Sequence, residues 1–157
     1  MGTSPGAGAV RAVLVGGLAA ALFDFVAAML IWKISWIVVG HAIAAGVLGP
    51  EAARASGVAG AVLGAALHTG ILLVAAALYV LAARVAPMLT RRPWLFGPLY
   101  GAAIYLVMNY VVVPLSLARR DDAQPLEPTL VNALNVASHL FLVGLPIALA
   151  AARFARR

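Results

Sequence analysis

Six side chains able to move a proton or hold a ligand lie inside long apolar runs of this sequence: Asp24, His68, Tyr105, Asn109, Asn135 and His139. A polar group in hydrocarbon is costly and an ionisable one costlier, so such residues turn toward one another and not toward lipid. Asp24 and the two histidines form the acid–base set, since imidazole changes charge near neutral pH. The same imidazoles are candidate axial ligands to a b-type haem, or a pair holding a metal ion. The two amides and the phenol are hydrogen-bonding groups, equally suited to holding helices together.

The elements that must position them follow from composition. The 157 residues are 64% hydrophobic and only 10% charged, with a mean hydropathy of +1.03. Soluble domains carry roughly a quarter charged residues, so the chain belongs in a bilayer, with lipid as its first partner. Crossing the hydrocarbon core takes about 20 apolar residues in a helix. Residues 12–32, 60–82, 94–115 and 130–151 meet that length. Trp32, Lys33, Trp36 and Trp94 mark interfaces. Segment 34–49 is apolar but too short to cross again, and it carries His41 and ends at Gly49-Pro50. It is expected to lie as a short outer helix, interfacial or re-entrant. The run from Ala118 to Pro128, with Arg119, Arg120, Asp121, Asp122 and two prolines, is expected to be a solvated loop. The first span is longer than a signal-peptide core and holds Asp24, so it is expected to be retained. The fold class is therefore an all-α integral membrane four-helix bundle, one transmembrane domain over residues 1–157.

Helical spacing places each polar residue on a small-residue stripe, where membrane helices approach closely. Gly60, Gly64 and His68 share one face, and Gly97, Gly101, Tyr105 and Asn109 another. Asn132, Asn135 and His139 align on the fourth span, and Gly17, Ala20 and Asp24 on the first. The four stripes are expected to bring Asp24, His68, Asn109 and His139 together. A weak repeat sets Gly16–Phe25 beside Gly101–Tyr110 and Ala66-Leu67-His68 beside Ala137-Ser138-His139.

With the N-terminus cytoplasmic, that side carries Arg11, Arg84, Arg91, Arg92, Arg153, Arg156 and Arg157, seven of the eleven cationic residues. Lys33, Arg54, Arg119 and Arg120 lie opposite. The positive-inside rule then puts both termini in the cytoplasm. Attraction to anionic headgroups accounts for the net charge of +6 without a nucleic-acid partner.

Several chemistries are excluded. No cysteine is present, so there are no disulfides, thiolate metal sites or iron–sulfur clusters. No phosphate-binding loop, nucleophile elbow or zincin motif occurs. No enzyme is expected.

Gly-Val-Leu-Gly-Pro (46–50), Ala-Leu-His (66–68), Tyr-Gly-Ala-Ala-Ile-Tyr-Leu-Val-Met-Asn (100–109), Val-Pro-Leu-Ser (113–116) and His-Leu-Phe-Leu-Val-Gly-Leu-Pro (139–146) carry a resemblance. The chain resembles small four-span bacterial inner-membrane proteins of unassigned function, and more distantly the YagU-like family. That resemblance implies an inner-membrane protein and supplies no catalytic residues. Three readings stand, in this order: an accessory or assembly subunit whose polar cluster fixes packing, a small transporter or proton-relay component using Asp24 with His68 or His139, and a haem- or metal-binding protein. The transport reading calls for a homodimer or a larger membrane complex, since four helices are few for a carrier.

Overall fold

The computed structural model describes residues 5–118 and 126–155. Arg119, Arg120, Asp121, Asp122, Arg156 and Arg157 lie outside them. Helix α1 (Pro5–Trp32) ends where Lys33 takes a left-handed conformation, φ 52°, and the Ile34 amide turns back to the Met29 carbonyl at 3.1 Å. Ser35 is extended, and its hydroxyl accepts the Val38 amide to open α2 (Trp36–Leu48). Gly49, at φ 81°, makes the corner into α3 (Pro50–Ala55), with Pro50 at a position where its missing N–H costs nothing. Helix α4 (Gly57–Val85) follows, then a single turn, α5 (Met88–Arg91). Pro93 starts α6 (Pro93–Leu115), and Thr129 caps α7 (Leu130–Phe154) by accepting the Asn132 amide at 3.1 Å.

Four of these helices, α1, α4, α6 and α7, are long and apolar enough to cross a membrane. Even the shortest, 23 residues, runs about 35 Å at about 1.5 Å per residue, more than a hydrocarbon core of about 30 Å. Leu14, Leu22, Leu30, Val74, Leu99 and Phe141 are exposed around the outside, where water would be unfavourable and lipid is not. The chain is an all-α membrane helix bundle. At 13 residues α2 reaches only about 20 Å, so it cannot span.

The bundle is antiparallel, and its register can be read from glycines. Gly8 meets Phe154, Gly16 meets Ile147 and Ala150, and Gly17 meets Leu72 and Leu73. Thus α1 lies between α4 and α7. On the far side of α7, Gly144 sits backbone to backbone against Gly97 and Gly101 of α6, where a Cβ would collide with main-chain atoms. Helices α4 and α6 meet through tyrosines: Tyr100 donates to the Ala75 carbonyl at 2.7 Å, and the Tyr79 and Tyr100 rings pack at 5.0 Å. The upper part of the Gly60–Gly64 stripe receives α2, not another span, with Gly64 against Gly40. His41 fastens that contact by donating from Nε2 to the Gly57 carbonyl at 2.7 Å. Gly16 and Gly101, matched in the sequence repeat, both face α7, so the two halves do not pack as equivalent copies.

Two features were not anticipated. Met108–Val112 in α6 and His139–Gly144 in α7 are π-helical. In each case a proline, Pro114 or Pro146, stands just beyond the widened turn. Proline lacks an amide hydrogen and its ring presses on the carbonyl four residues back, and a wider turn relieves both problems. Beyond its π segment α6 leaves the bundle. Met108–Leu115 makes no extended packing with another spanning helix, and Tyr110, Val111 and Leu115 are exposed. Its end is tied to α2 instead, through the Leu117 amide on the Gly46 carbonyl at 3.1 Å.

The glycine contacts yield a stability prediction. Gly144→Val should push α6 from α7 and destabilise the protein by about 1–3 kcal/mol, the usual cost of overpacking. Gly70→Ala, with open space around the added carbon, should change stability by less than about 0.5 kcal/mol. Thermal unfolding in detergent measures both. Equal effects would show that the α6–α7 backbone contact does not matter.

Candidate functional site

Asp24 stands in the half of α1 nearer Trp32, and two antiparallel neighbours bring histidines to its level. From α4, His68 places Nε2 3.7 Å from Asp24 Oδ2. From α7, His139 places Nδ1 3.7 Å from Oδ1. One carboxyl group thus lies between two imidazoles, each addressing its own oxygen. Both distances are too long for direct hydrogen bonds and lie within ion-pair range whenever the ring is protonated.

The protonation pattern follows from the carbonyls. His68 Nε2 is 3.2 Å from the Ala21 carbonyl, and His139 Nδ1 is 2.9 Å from the Asn135 carbonyl. A carbonyl oxygen only accepts, so each nitrogen carries a hydrogen. The same two nitrogens are the ones nearest the carboxyl, so each ring gives that N–H to a carbonyl while standing 3.7 Å from a carboxyl oxygen. Their remaining nitrogens, Nδ1 of His68 and Nε2 of His139, keep lone pairs. With both rings neutral the cluster carries one negative charge, which burial disfavours. A single proton on either ring makes it neutral, and a second makes it positive.

Around this core, the Tyr105 ring of α6 meets the His139 ring edge-on at 5.1 Å, and Phe25 packs on His68 at 5.7 Å. The Asn135 side chain pairs with Tyr105. Asn109 joins at one remove: its amide donates to the Tyr105 carbonyl of its own helix at 2.9 Å, in the π segment, and does not bond to Asp24 or either histidine. Ser138, which the sequence reading passed over, donates to the Asn135 carbonyl at 2.8 Å, the same oxygen that fixes His139. Its only signal was adjacency to His139. Asn132 is farther along α7, donating to the Glu127 carbonyl at 3.0 Å.

As a metal site the geometry is poor. Among the described residues no group of three or more His, Asp or Glu is disposed around a common point for an ion. A bis-imidazole haem would need unprotonated nitrogens aimed at one iron. Here the nitrogens that converge are committed as donors to carbonyls. Acid–base chemistry is what the contacts favour.

The two rings should differ in a measurable way. When neutral, His68 is expected as the Nε2–H tautomer and His139 as the Nδ1–H tautomer. Nitrogen chemical shifts of ¹⁵N-histidine-labelled protein in lipid nanodiscs distinguish them. Finding His139 protonated at Nε2 alone would remove its bond to Asn135 and break the arrangement.

Comparison of the chain with protein-family models, with curated proteins and with solved structures returns no match. Function must therefore be read from the site.

Proposed function

We propose that this is a small proton-handling membrane protein, the proton-relay alternative of the three readings, with Asp24, His68 and His139 as its proton-binding group. The observation that carries the proposal is one carboxyl group placed between two imidazoles, 3.7 Å from a ring nitrogen of each. Packing alone does not call for such a cluster. Glycine and alanine contacts already hold α1, α4 and α7 together, and interhelical polar bonds in membranes add on average only about 0.6 kcal/mol. A titratable carboxylate in hydrocarbon is an expensive substitute for a well-packed apolar residue. Tyr105, Asn135 and Ser138 act as positioning residues that set the orientation of His139.

The reading is tested by proton movement into liposomes containing the purified full chain, followed with an internal pH dye under an imposed membrane potential. Asp24→Asn should insert and melt like the wild type, within about 1 kcal/mol, yet reduce proton entry to that of empty liposomes. The amide keeps the shape and hydrogen-bonding capacity but cannot support an imidazolium. If wild type and Asp24→Asn both match empty liposomes, and neither histidine titrates between pH 5 and 8 (about the range of an ordinary imidazole), the accessory reading takes over.

The proposed location is a bacterial inner membrane with both termini cytoplasmic, supported by the bias of arginines toward the terminal side. The resemblance to small four-span inner-membrane proteins points the same way. A homodimer or a larger complex would enclose the free face of α6. Reporter fusions after Arg157 and within residues 118–128 should report opposite compartments, the C-terminal one cytoplasmic. The same compartment for both would contradict the four-span topology, and a C-terminus on the far side would reverse the orientation.

A further inference from the structure

We infer that the His68–Asp24–His139 cluster exchanges protons with one side of the membrane only, through the opening between the loop-side halves of α6 and α7. This rests on the proton-binding reading and adds the direction of access.

Three observations converge. The first is the placement of the apolar core. Its buried members are Ala12, Ala20 and Ala21 of α1, Leu72 to Val80 of α4 and Val143 to Ala151 of α7. Every one lies on the terminal side of the cluster level, since α1 runs toward the loops and α4 and α7 run away from them. Val143 and Ile147 are 1% exposed and Ala20 0%, whereas Asp24 and His68 are 13% exposed and His139 14%. The cluster sits on top of a sealed plug.

The second observation is divergence on the other side. Helices α6 and α7 touch closely from Gly97 to Tyr105 on one and from His139 to Ala148 on the other. Beyond that point Met108–Leu115 makes no extended packing with the other spanning helices and its end is tied to α2, while the first turns of α7 stay on α1. The two helices part above the contacts of Tyr105 with the His139 ring and the Asn135 side chain.

The third is the chemistry along that parting. Tyr105 and Asn109 on α6, with Asn135 and Asn132 on α7, continue from His139 toward the loop. On the terminal side the polar side chains Tyr100 and Tyr79 are packed into the core, with their hydroxyls donated to the Ala75 and Leu89 carbonyls. Facing the carboxylate are His68 from α4 and His139 from α7, with Tyr105 of α6 behind His139; Asp24 is the only charged residue in its own helix between Arg11 and the end at Trp32. Uncharged donors and acceptors of this kind can pass a proton, or support a file of water, without trapping ions.

The chain contains no cysteine, so single substitutions give a clean background for thiol labelling. The full chain would be reconstituted in liposomes, its orientation read from a C-terminal tag, and treated with a membrane-impermeant sulfonate thiol reagent from each side in turn. Asn135→Cys and Asn109→Cys should label from the loop side within about tenfold of an exposed Glu127→Cys control. Val143→Cys and Ile147→Cys should label roughly a hundredfold more slowly from either side, the protection expected of a locally stable core. Asn132→Cys serves as a second probe should Asn135→Cys fold poorly. Protection of Asn109, Asn132 and Asn135 positions from the loop side would overturn the proposal, as would rapid labelling at Ile147 from the terminal side. Labelling reads water access alone. Its failure with intact histidine titration would relocate the entry, whereas loss of titration with intact labelling would refute the proton-binding reading itself.

Discussion

A carboxyl group inside a bilayer must be met by polar partners that neighbouring helices supply, and this requirement organises the protein around Asp24. One helix cannot meet it, because its own amides are consumed in its backbone ladder. The partners come from α4 and α7, whose rings arrive at the same level, each with a nitrogen 3.7 Å from a carboxyl oxygen. Helix register is therefore not free. Gly17 against Leu72 and Leu73, and Gly16 against Ile147 and Ala150, lock α1 to its two neighbours within one turn of the needed offset. The small residues set the distance between backbones, and the carbonyls of Ala21 and Asn135 set the rings.

The second constraint is the approach of α6 to α7. Gly144 between Gly97 and Gly101 removes side chains from the crossing, so Tyr105 reaches the His139 ring. The same helices then change pitch. His139 opens the π segment of α7, and Asn109 lies in that of α6. A π turn swings the following residues around the axis and leaves backbone groups less regularly paired, which is why such turns gather at functional positions. Here it lets α6 keep its tight contact below the cluster and depart above it.

Much of this was legible in the sequence. Asp24, His68 and His139 were visible as ionisable residues in apolar runs, and periodicity assigned them to small-residue stripes that do make contacts. Spacing could not say which partner each stripe meets. Gly64 and His68 share a face, yet one meets α2 and the other α1, because a short outer helix competes for the upper part of α4. Asn109 shows a further limit. Its position on the stripe suggested a fourth member of the cluster, but its amide serves a carbonyl of its own widened turn. Pro114 and Pro146 stand inside two of the spans, and a proline inside a helix disturbs its ladder. That they would be absorbed by π turns, and not by kinks or breaks, depends on packing that a local pattern does not contain.

The asymmetry of the core bears on what kind of proton handling is feasible. Net transport requires the cluster to meet each side of the membrane in turn, and in this conformation the terminal side is closed by Val143, Ile147, Leu72 and Ala76. Opening it by parting all four helices would forfeit the buried alanine and glycine contacts together, a large cost. A smaller movement is available. The π segment of α7 runs from His139 of the cluster to Gly144 and includes Val143 of the plug. Converting it to regular α-helix would rotate Val143 and its neighbours relative to His139 without separating the helix axes. Protonation that weakens the hold of Asp24 on His139 would act at the first residue of that segment. The residue that meets Asp24 and the first residue of the plug thus lie on the same widened stretch of chain, His139 at its start and Val143 near its end.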